Sequence, residues 1–261
     1  MLTIGLLGFG RTGQLVAKEI LEDPACVLKW VARRHPERDH RPVSRVLGLD
    51  RDEGRFVAEN LLCGAWFRAN RVDVIIDFSH SNSARHYSAA TSQGIRIVSA
   101  VSKYEPEDRA CLTPAACWAA VLHSPNITLG INCQMHVAKL LRRIIPEADI
   151  EIIEEHFRNK KETSGTALKM AENLGLNPET QVNSIRVGGI VGRHEIIFGL
   201  PFQTLRLVHE SVSRSAFGRG AIFAAKWLQE QGPGFFTMEQ LITEKFTQAQ
   251  SLAEADCQNP V

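Results

Sequence analysis

The densest chemistry in the chain lies in one run: Glu154-Glu155-His156-Phe157-Arg158-Asn159-Lys160-Lys161-Glu162-Thr163-Ser164-Gly165-Thr166-Ala167. The segment leaves an apolar run, gathers a histidine and several cations, and enters a helical pattern through Ser164-Gly165-Thr166. Small residues at a helix start present backbone N–H groups to an anion, and a carboxylate suits that position. His156 and Lys160 could supply protons and positive charge beside it. Glu154, Glu155 and Glu162 read as groups that orient or neutralise the cations rather than as acids. Paired-carboxylate glycoside chemistry is set aside, because nothing else in the chain supports a sugar site.

A second cluster opens the chain. Gly8-Phe9-Gly10-Arg11-Thr12-Gly13 follows an apolar run and precedes a helical pattern. In such a turn the first glycine permits the tight bend, the second lets the backbone approach a pyrophosphate, and the third lets helix and strand pack closely. The expected ligand is a dinucleotide; the plainer alternative is a tight structural turn. Where an NAD site usually carries an acidic residue after the second strand, this chain has Arg33-Arg34. Two guanidinium groups suit a 2′-phosphate, so NADPH is the expected preference over NADH. A solvated basic loop is the other reading, since Arg38 and Arg41 follow closely.

The elements that must position these residues alternate at first. Strands are expected at 3–7, 27–32, 72–78, 95–100 and 119–123. Helical spacing follows the first glycine turn, and a helix over 83–93 closes at Gly94. Alternating units with buried apolar strands imply an α/β fold, a Rossmann-type doubly wound parallel sheet. After about Asn126 the pattern changes. Helices are expected at 135–145, stopped by Pro146, and at 166–174, ending at Gly175. Strands are expected at 150–155, 185–189, 194–199 and 205–210, which suggests a second α+β domain with an open mixed sheet. A helix follows at 216–229, and the polar stretch 248–261 is expected to fray.

Composition excludes several classes. The 261 residues suit one large domain or two modest ones. Thirty Lys and Arg against 29 Asp and Glu give a net charge of +1, so no global field draws the chain to nucleic acid or a membrane. No apolar run approaches the ~20 residues of a bilayer span. Met1 runs almost directly into a strand, so no signal peptide is expected. The six cysteines form no C-x-x-C pair and no zinc spacing. Reduced thiols in a cytoplasmic protein, with no metal, are the expectation.

Several of these strings occur together in one known family. They are the glycine turn 8–13, Asp77-Phe78-Ser79, Ser124-Pro125-Asn126-Ile127 and Gly130-Ile131-Asn132. They continue with Glu151-Ile152-Ile153-Glu154 leading to His156, Lys160 and Ser164-Gly165-Thr166-Ala167, and end with 209–217 and Gly220-Ala221. On these, over nearly its whole length, the chain resembles dihydrodipicolinate reductase (4-hydroxy-tetrahydrodipicolinate reductase), a family of diaminopimelate and lysine biosynthesis. The resemblance implies that His156 and Lys160 are the acid/base pair and that Ser164, Gly165 and Thr166 form the substrate-carboxylate loop. It implies cofactor contacts at Gly8, Phe9, Gly10, Arg11, Thr12, Gly13, Arg33 and Arg34, at the Ser99, Ala100 and Val101 segment, and at Ser124, Pro125, Asn126 and Ile127. It also implies a dinucleotide-binding domain of residues 1–126 plus 211–261, a substrate and assembly domain of residues 127–210, and a homotetramer.

The implied reaction is hydride transfer from NADPH, or NADH, to a ring carbon conjugated with C=N in a cyclic dicarboxylate. Lys160 would supply a proton and His156 would assist. Three departures stand out: Phe157 where the family usually has a second histidine, a substrate loop one residue shorter and without its proline, and Ser99-Ala100-Val101-Ser102 in place of Gly-Thr-Thr-Gly. They keep open a divergent reductase of another cyclic imine in secondary metabolism. A non-catalytic NADP-binding sensor is a third reading, against which the presence of both His156 and Lys160 argues.

Overall fold

Apolar runs early in the chain become the buried strands of a parallel sheet. The computed structural model describes residues 1–35 and 40–258; Arg38 and the last three residues of the expected frayed end lie outside them. Among the described residues the strands are β1 (Leu2–Leu7), β2 (Cys26–Arg33), β3 (Arg55–Ala58), β4 (Val74–Asp77), β5 (Arg96–Ser99), β6 (Ala120–His123), β7 (Asp149–His156), β8 (Val182–Arg186), β9 (Arg193–Leu200), β10 (Gln203–Glu210) and β11 (Gly234–Phe236). The longer helices are α1 (Arg11–Glu22), α2 (Leu129–Ile144), α3 (Gly165–Leu174), α4 (Ser215–Leu228) and α5 (Met238–Gln258).

The chain divides into two units, one of Met1–Thr128 with Phe217–Glu244, the other of Leu129–Ala216 with the residues from Lys245 onward. The boundaries expected from the sequence are 126 and 211, with the whole C-terminal segment in the first unit. The first unit holds a seven-stranded sheet in the order β11-β6-β5-β4-β1-β2-β3, every pair parallel. Parallel strands are buried on both faces, and Ile4, Leu6, Ile75, Ile76, Ile97 and Val121 are all 1% exposed or less. This is the Rossmann-type architecture expected. Two short edge strands, β3 and β11, carry too few residues to show a period and were not read from the sequence.

The second unit holds a four-stranded sheet, β10-β9-β7-β8. β10 and β7 run antiparallel to β9, while β8 runs parallel to β7, with α3 in the connection. Its core gathers Ile150 and Ile152 of β7, Ile196 and Phe198 of β9, and Ala167, Met170 and Leu174 of α3. The expected mixed sheet is therefore present.

Some local expectations need correction. α2 starts at Leu129 rather than 135, because the polar Gly130 to Gln134 stretch hides its first turns. Gly130 sits where a Cβ would come within 2.4 Å of the His209 ring. β8 lies three residues earlier than expected and yields to a turn at Gly188, which has φ +53°. The helix expected over 83–93 starts as a 3₁₀ turn, Ser81–His86, before one α-helical stretch, Tyr87–Thr91. The stretch from 248 does not fray at its start: α5 continues through Gln258. Met238, Leu241 and Ile242 anchor its beginning, each 3% exposed or less. Its later Ala, Gln and Glu residues propagate a helix readily once it is nucleated. No helix among the described residues is long and apolar enough to cross a membrane.

Candidate active site and nucleotide cleft

In the first unit, the pairing of β1 with β4 places Leu7 opposite Asp77, so that Gly8 abuts Phe78. Gly8 takes φ +92°, and a Cβ there would lie 2.8 Å from the Phe78 carbonyl oxygen. A Cβ on Gly13 would lie 2.4 Å from the Gly8 oxygen, so a side chain would force α1 off β1. Gly10 is different. It precedes α1 in extended conformation, makes no side-chain cap, and faces open space, with no atom within 4 Å of a built Cβ. Two glycines are thus dictated by packing, and the middle one leaves the helix N-terminus accessible to an anion.

That end of α1 opens on a cleft of about 550 Å³ lined by Gly8, Phe9, Gly10, Arg33, Arg34 and His80, among others. The Arg33 guanidinium carbon stands 3.5 Å from the centre of the Phe56 ring, and Phe9 meets the same ring edge-on at 4.9 Å. Arg34 Nε donates to His80 Nε2 at 3.2 Å, and Glu59 Oε2 lies 3.5 Å from the same nitrogen. Phe56, Glu59 and His80 were missed. The first two belong to or follow the unread strand β3, while His80 follows the Asp77-Phe78-Ser79 string. An open glycine cradle, a helix N-terminus and two guanidinium groups in one cleft fit a nicotinamide dinucleotide.

Ser99 ends β5 and Ala100 and Val101 follow it, as the 124–127 segment follows β6, at the edge of the sheet on which Gly8 also lies. They do not line the cleft. Ser99, Ala100, Val101, Ser124 and Ile127 are buried. The Ser99 hydroxyl lies 2.5 Å from the Tyr104 hydroxyl and accepts from the Val101 amide. Tyr104 meets Tyr87, which donates to the fully buried Asp77 at 2.6 Å. Burial pushes the Asp77 carboxyl up, against the hydrogen bonds that Ser79, Ser83 and Tyr87 donate to it. This network holds the loop from beneath and leaves its backbone as the part that can meet a ligand.

In the second unit the expected cluster forms around β7, whose alternation puts Glu154 and His156 on one face. Glu154 is fully buried. His156 Nδ1–H donates to Glu154 Oε2 at 2.5 Å. Ser184 donates its hydroxyl to Oε1 at 2.6 Å, the Ser164 amide does so at 3.2 Å, and Arg186 spans both oxygens at 2.9 and 2.5 Å. Burial raises the Glu154 carboxyl, but these donors outweigh it and hold it down to about 2. Burial lowers His156, with Glu154 opposing, so the ring is neutral at pH 7 with Nε2 unprotonated.

Ser164 caps the start of α3 without a side-chain cap bond. Its hydroxyl lies 2.9 Å from His194 Nε2 and is therefore engaged away from the helix start. Gly165 is exposed and open, and Thr166 is half-buried. Lys160 is half-buried, whereas Phe157 and Lys161 are exposed. The structure thus gathers His156, Lys160, Ser164, Gly165 and Thr166 around one strand end and one helix start. Arg186, Ser184 and His194 were missed, because pairing across strands leaves no local sequence signal. No group of three or more His, Cys, Asp or Glu among the described residues is placed to hold a metal ion.

His194 supplies a test of this packing. Its rings and those of His156 stand 5.3 Å apart, and burial, then the His156 charge, lowers it to about 4. A histidine kept neutral in the fold stabilises it above the unfolded value near 6.5 and loses that contribution as pH falls toward 4. Wild-type Tm should therefore drop between pH 6.5 and 4, on the order of 3 kcal/mol of stability. His194→Gln should flatten that part of the curve; an unchanged slope by calorimetry counts against a neutral buried His194.

A parallel dinucleotide-type sheet and a separate α+β unit bearing a His–Lys cluster beside an open helix start define a nicotinamide-nucleotide-dependent reductase. The chain's residues 2–127 match the family model for the N-terminus of dihydrodipicolinate reductase, and residues 130–242 match the one for its C-terminus. The chain belongs to the dihydrodipicolinate reductase family, the family its motifs resemble. The 4-hydroxy-tetrahydrodipicolinate reductase of Methylococcus capsulatus is 31% identical over 265 aligned positions, which cover 89% of this chain and 94% of that protein. That of Archaeoglobus fulgidus is 33% identical, covering 65% and 76%. A dipicolinate-bound dihydrodipicolinate reductase structure from Paenisporosarcina sp. TG-14 shares the fold, with a TM-score of 0.75 and 22% identity over 91% of this chain and 97% of that one. An amine dehydrogenase from Mycobacterium smegmatis shares it at a TM-score of 0.66 and 12% identity, over 91% and 95%.

Proposed function

We propose that this chain reduces 4-hydroxy-tetrahydrodipicolinate to tetrahydrodipicolinate, with NADPH preferred over NADH, in diaminopimelate and lysine biosynthesis in the cytoplasm. The observation that carries the reading is the grouping of His156, Lys160 and the Ser164-Gly165-Thr166 helix start in a member of this family. The nicotinamide, when bound, supplies the hydride. Gly8, Phe9, Gly10, Arg11, Thr12 and Gly13 would hold the pyrophosphate, with Ser99 to Val101 and Ser124 to Ile127 contributing backbone. The first-turn amides of α3, at Gly165 and Thr166, would take one substrate carboxylate. Lys160 would give up a proton at the reduced ring, and neutral His156 would accept a hydrogen bond through Nε2. The deciding experiment is NADPH oxidation with enzymatically generated 4-hydroxy-tetrahydrodipicolinate; no turnover beside a positive control sinks the proposal.

Phe157, exposed at 42% where the family usually has a second histidine, favours one further reading, a reductase of another cyclic imine. Faster turnover of other cyclic imines than of the named substrate would select it. We also propose a homotetramer. The edge strand β10 supports it, since among the described residues no strand neighbours it on its outer side and Leu205 and Val208 are exposed.

Cofactor preference is testable by itself. Arg33 and Arg34 together line the cleft and stand in place of an acidic ribose partner. One charge-assisted hydrogen bond is worth ~1.5–3 kcal/mol, or about 10- to 100-fold in affinity. Replacing Arg33 and Arg34 by alanine should weaken NADPH by at least that factor and NADH far less. Equal losses in calorimetry would refute the assignment.

A further inference from the structure

The Glu154 carboxylate takes no part in the chemistry proposed above, yet it is fully buried and joins four neighbours. It binds the ring on its own strand, the Ser164 amide at the start of α3, and Ser184 and Arg186 on β8. An ionised carboxylate only accepts hydrogen bonds. The proton of neutral His156 therefore sits on Nδ1, and Nε2 carries the lone pair. On that other edge of the ring Gly192 stands close. A Cβ there would lie 3.2 Å from Nε2, tighter than ordinary contact. The missing side chain keeps that edge clear.

We propose that Glu154 is a positioning residue for the reduction: it locks His156 in the Nδ1–H tautomer with Nε2 available to substrate, and through the Ser164 amide it ties that ring to the helix start that holds a substrate carboxylate. The inference rests on the substrate reading above. One buried carboxylate thus sets the proton-handling ring and the anion-binding turn in a common register. Arg186 and Ser184 keep it ionised and oriented.

The groups facing His156 are Glu154 on β7, Lys160 in the loop that follows, Arg186 on β8 and His194 on β9. Of these only Glu154 favours the charged ring; burial, Lys160 and Arg186 oppose it. Without the carboxylate the ring should become harder to protonate. The acidic limb of activity, where His156 gains a proton, then moves to lower pH.

The test is nitrogen-15 NMR of His156 in the full chain without substrate, together with turnover. Wild type is expected in the Nδ1–H tautomer. Glu154→Gln should shift the ring toward Nε2–H, lower its titration midpoint, and cut kcat on the order of 10²-fold with NADPH affinity unchanged. Glu154→Asp, which keeps the charge, should recover part of kcat and the original tautomer. An Nε2–H ring in wild type overturns the proposal even if Glu154→Gln fails to fold. So does Glu154→Gln with wild-type tautomer and kcat. If wild type turns over no 4-hydroxy-tetrahydrodipicolinate while the tautomer still shifts in Glu154→Gln, the substrate reading falls and the lock on His156 is upheld.

Discussion

Lys160→Ala is expected to lower kcat by ~10²–10⁴ while NADPH affinity stays unchanged, the pattern of a lost proton donor acting on the transition state. Two adjacent lysines make the choice specific. Lys160 lies four residues after His156, the spacing that the family resemblance implies. The structure fixes its backbone at both ends: its N–H donates to the Phe157 carbonyl at 3.1 Å, and its carbonyl accepts from Arg186 Nε at 3.0 Å. Its side chain leaves from a half-buried position, whereas Lys161 is exposed. Lys161→Ala should change kcat less than ~3-fold, as a surface substitution does. A dead Lys161→Ala beside a healthy Lys160→Ala would show that the shortened loop shifts the register, and the site assignment would fall.

The largest stability effect belongs to Arg186→Ala. Arg186 clamps Glu154 and also donates to the Lys160 and Glu162 carbonyls. Removing it leaves a carboxylate of zero exposure facing only hydroxyl, amide and imidazole donors. Breaking a buried pair from one side costs about 3–5 kcal/mol, measurable by urea unfolding at pH 7. The carboxyl is depressed in the fold, so its contribution is full above the unfolded value near 4.5 and fades as pH falls toward 2. The deficit of Arg186→Ala should therefore shrink across that window. Arg186→Lys restores charge but not the two-pronged geometry, and should recover part of the loss. A deficit independent of pH would mean that Arg186 acts through packing and not through Glu154.

The glycine turn and the His156 to Thr166 string were legible because each is local: strand, turn and helix start follow one another in the chain. The support of those residues was not. Glu154 was read as a group that orients cations, but its partners Ser184 and Arg186 lie on β8, whose reading was three residues off. Ile185, Val187 and the glycines at 188 and 189 pulled that strand toward the turn. The Ser164 hydroxyl turns to His194, thirty residues away, a contact with no local signal in the chain. Phe56 was invisible for a similar reason: four residues of β3 are too few to declare a strand, so the ring under Arg33 had no element to sit on. The C-terminal helix carries no sustained apolar stripe in its later turns, and composition alone could not separate it from a loose end.

The route of the chain through the first sheet bears on how the protein is made. β11 is the neighbour of β6, yet more than a hundred residues separate them, and the entire β7–β10 sheet is synthesised in the interval. A nascent chain that has reached Thr128 therefore carries an incomplete sheet, with the outer edge of Ala120–Leu122 bare until Gly234–Phe236 emerge from the ribosome. The second sheet is contiguous and can close first. α4 then returns, and Gly220, where a Cβ would lie 2.0 Å from the Ile127 oxygen, admits it against the finished strand end. A bulkier residue there would leave the newborn protein with its β6 edge open to pairing with another copy, which makes that helix return a step exposed to aggregation during synthesis.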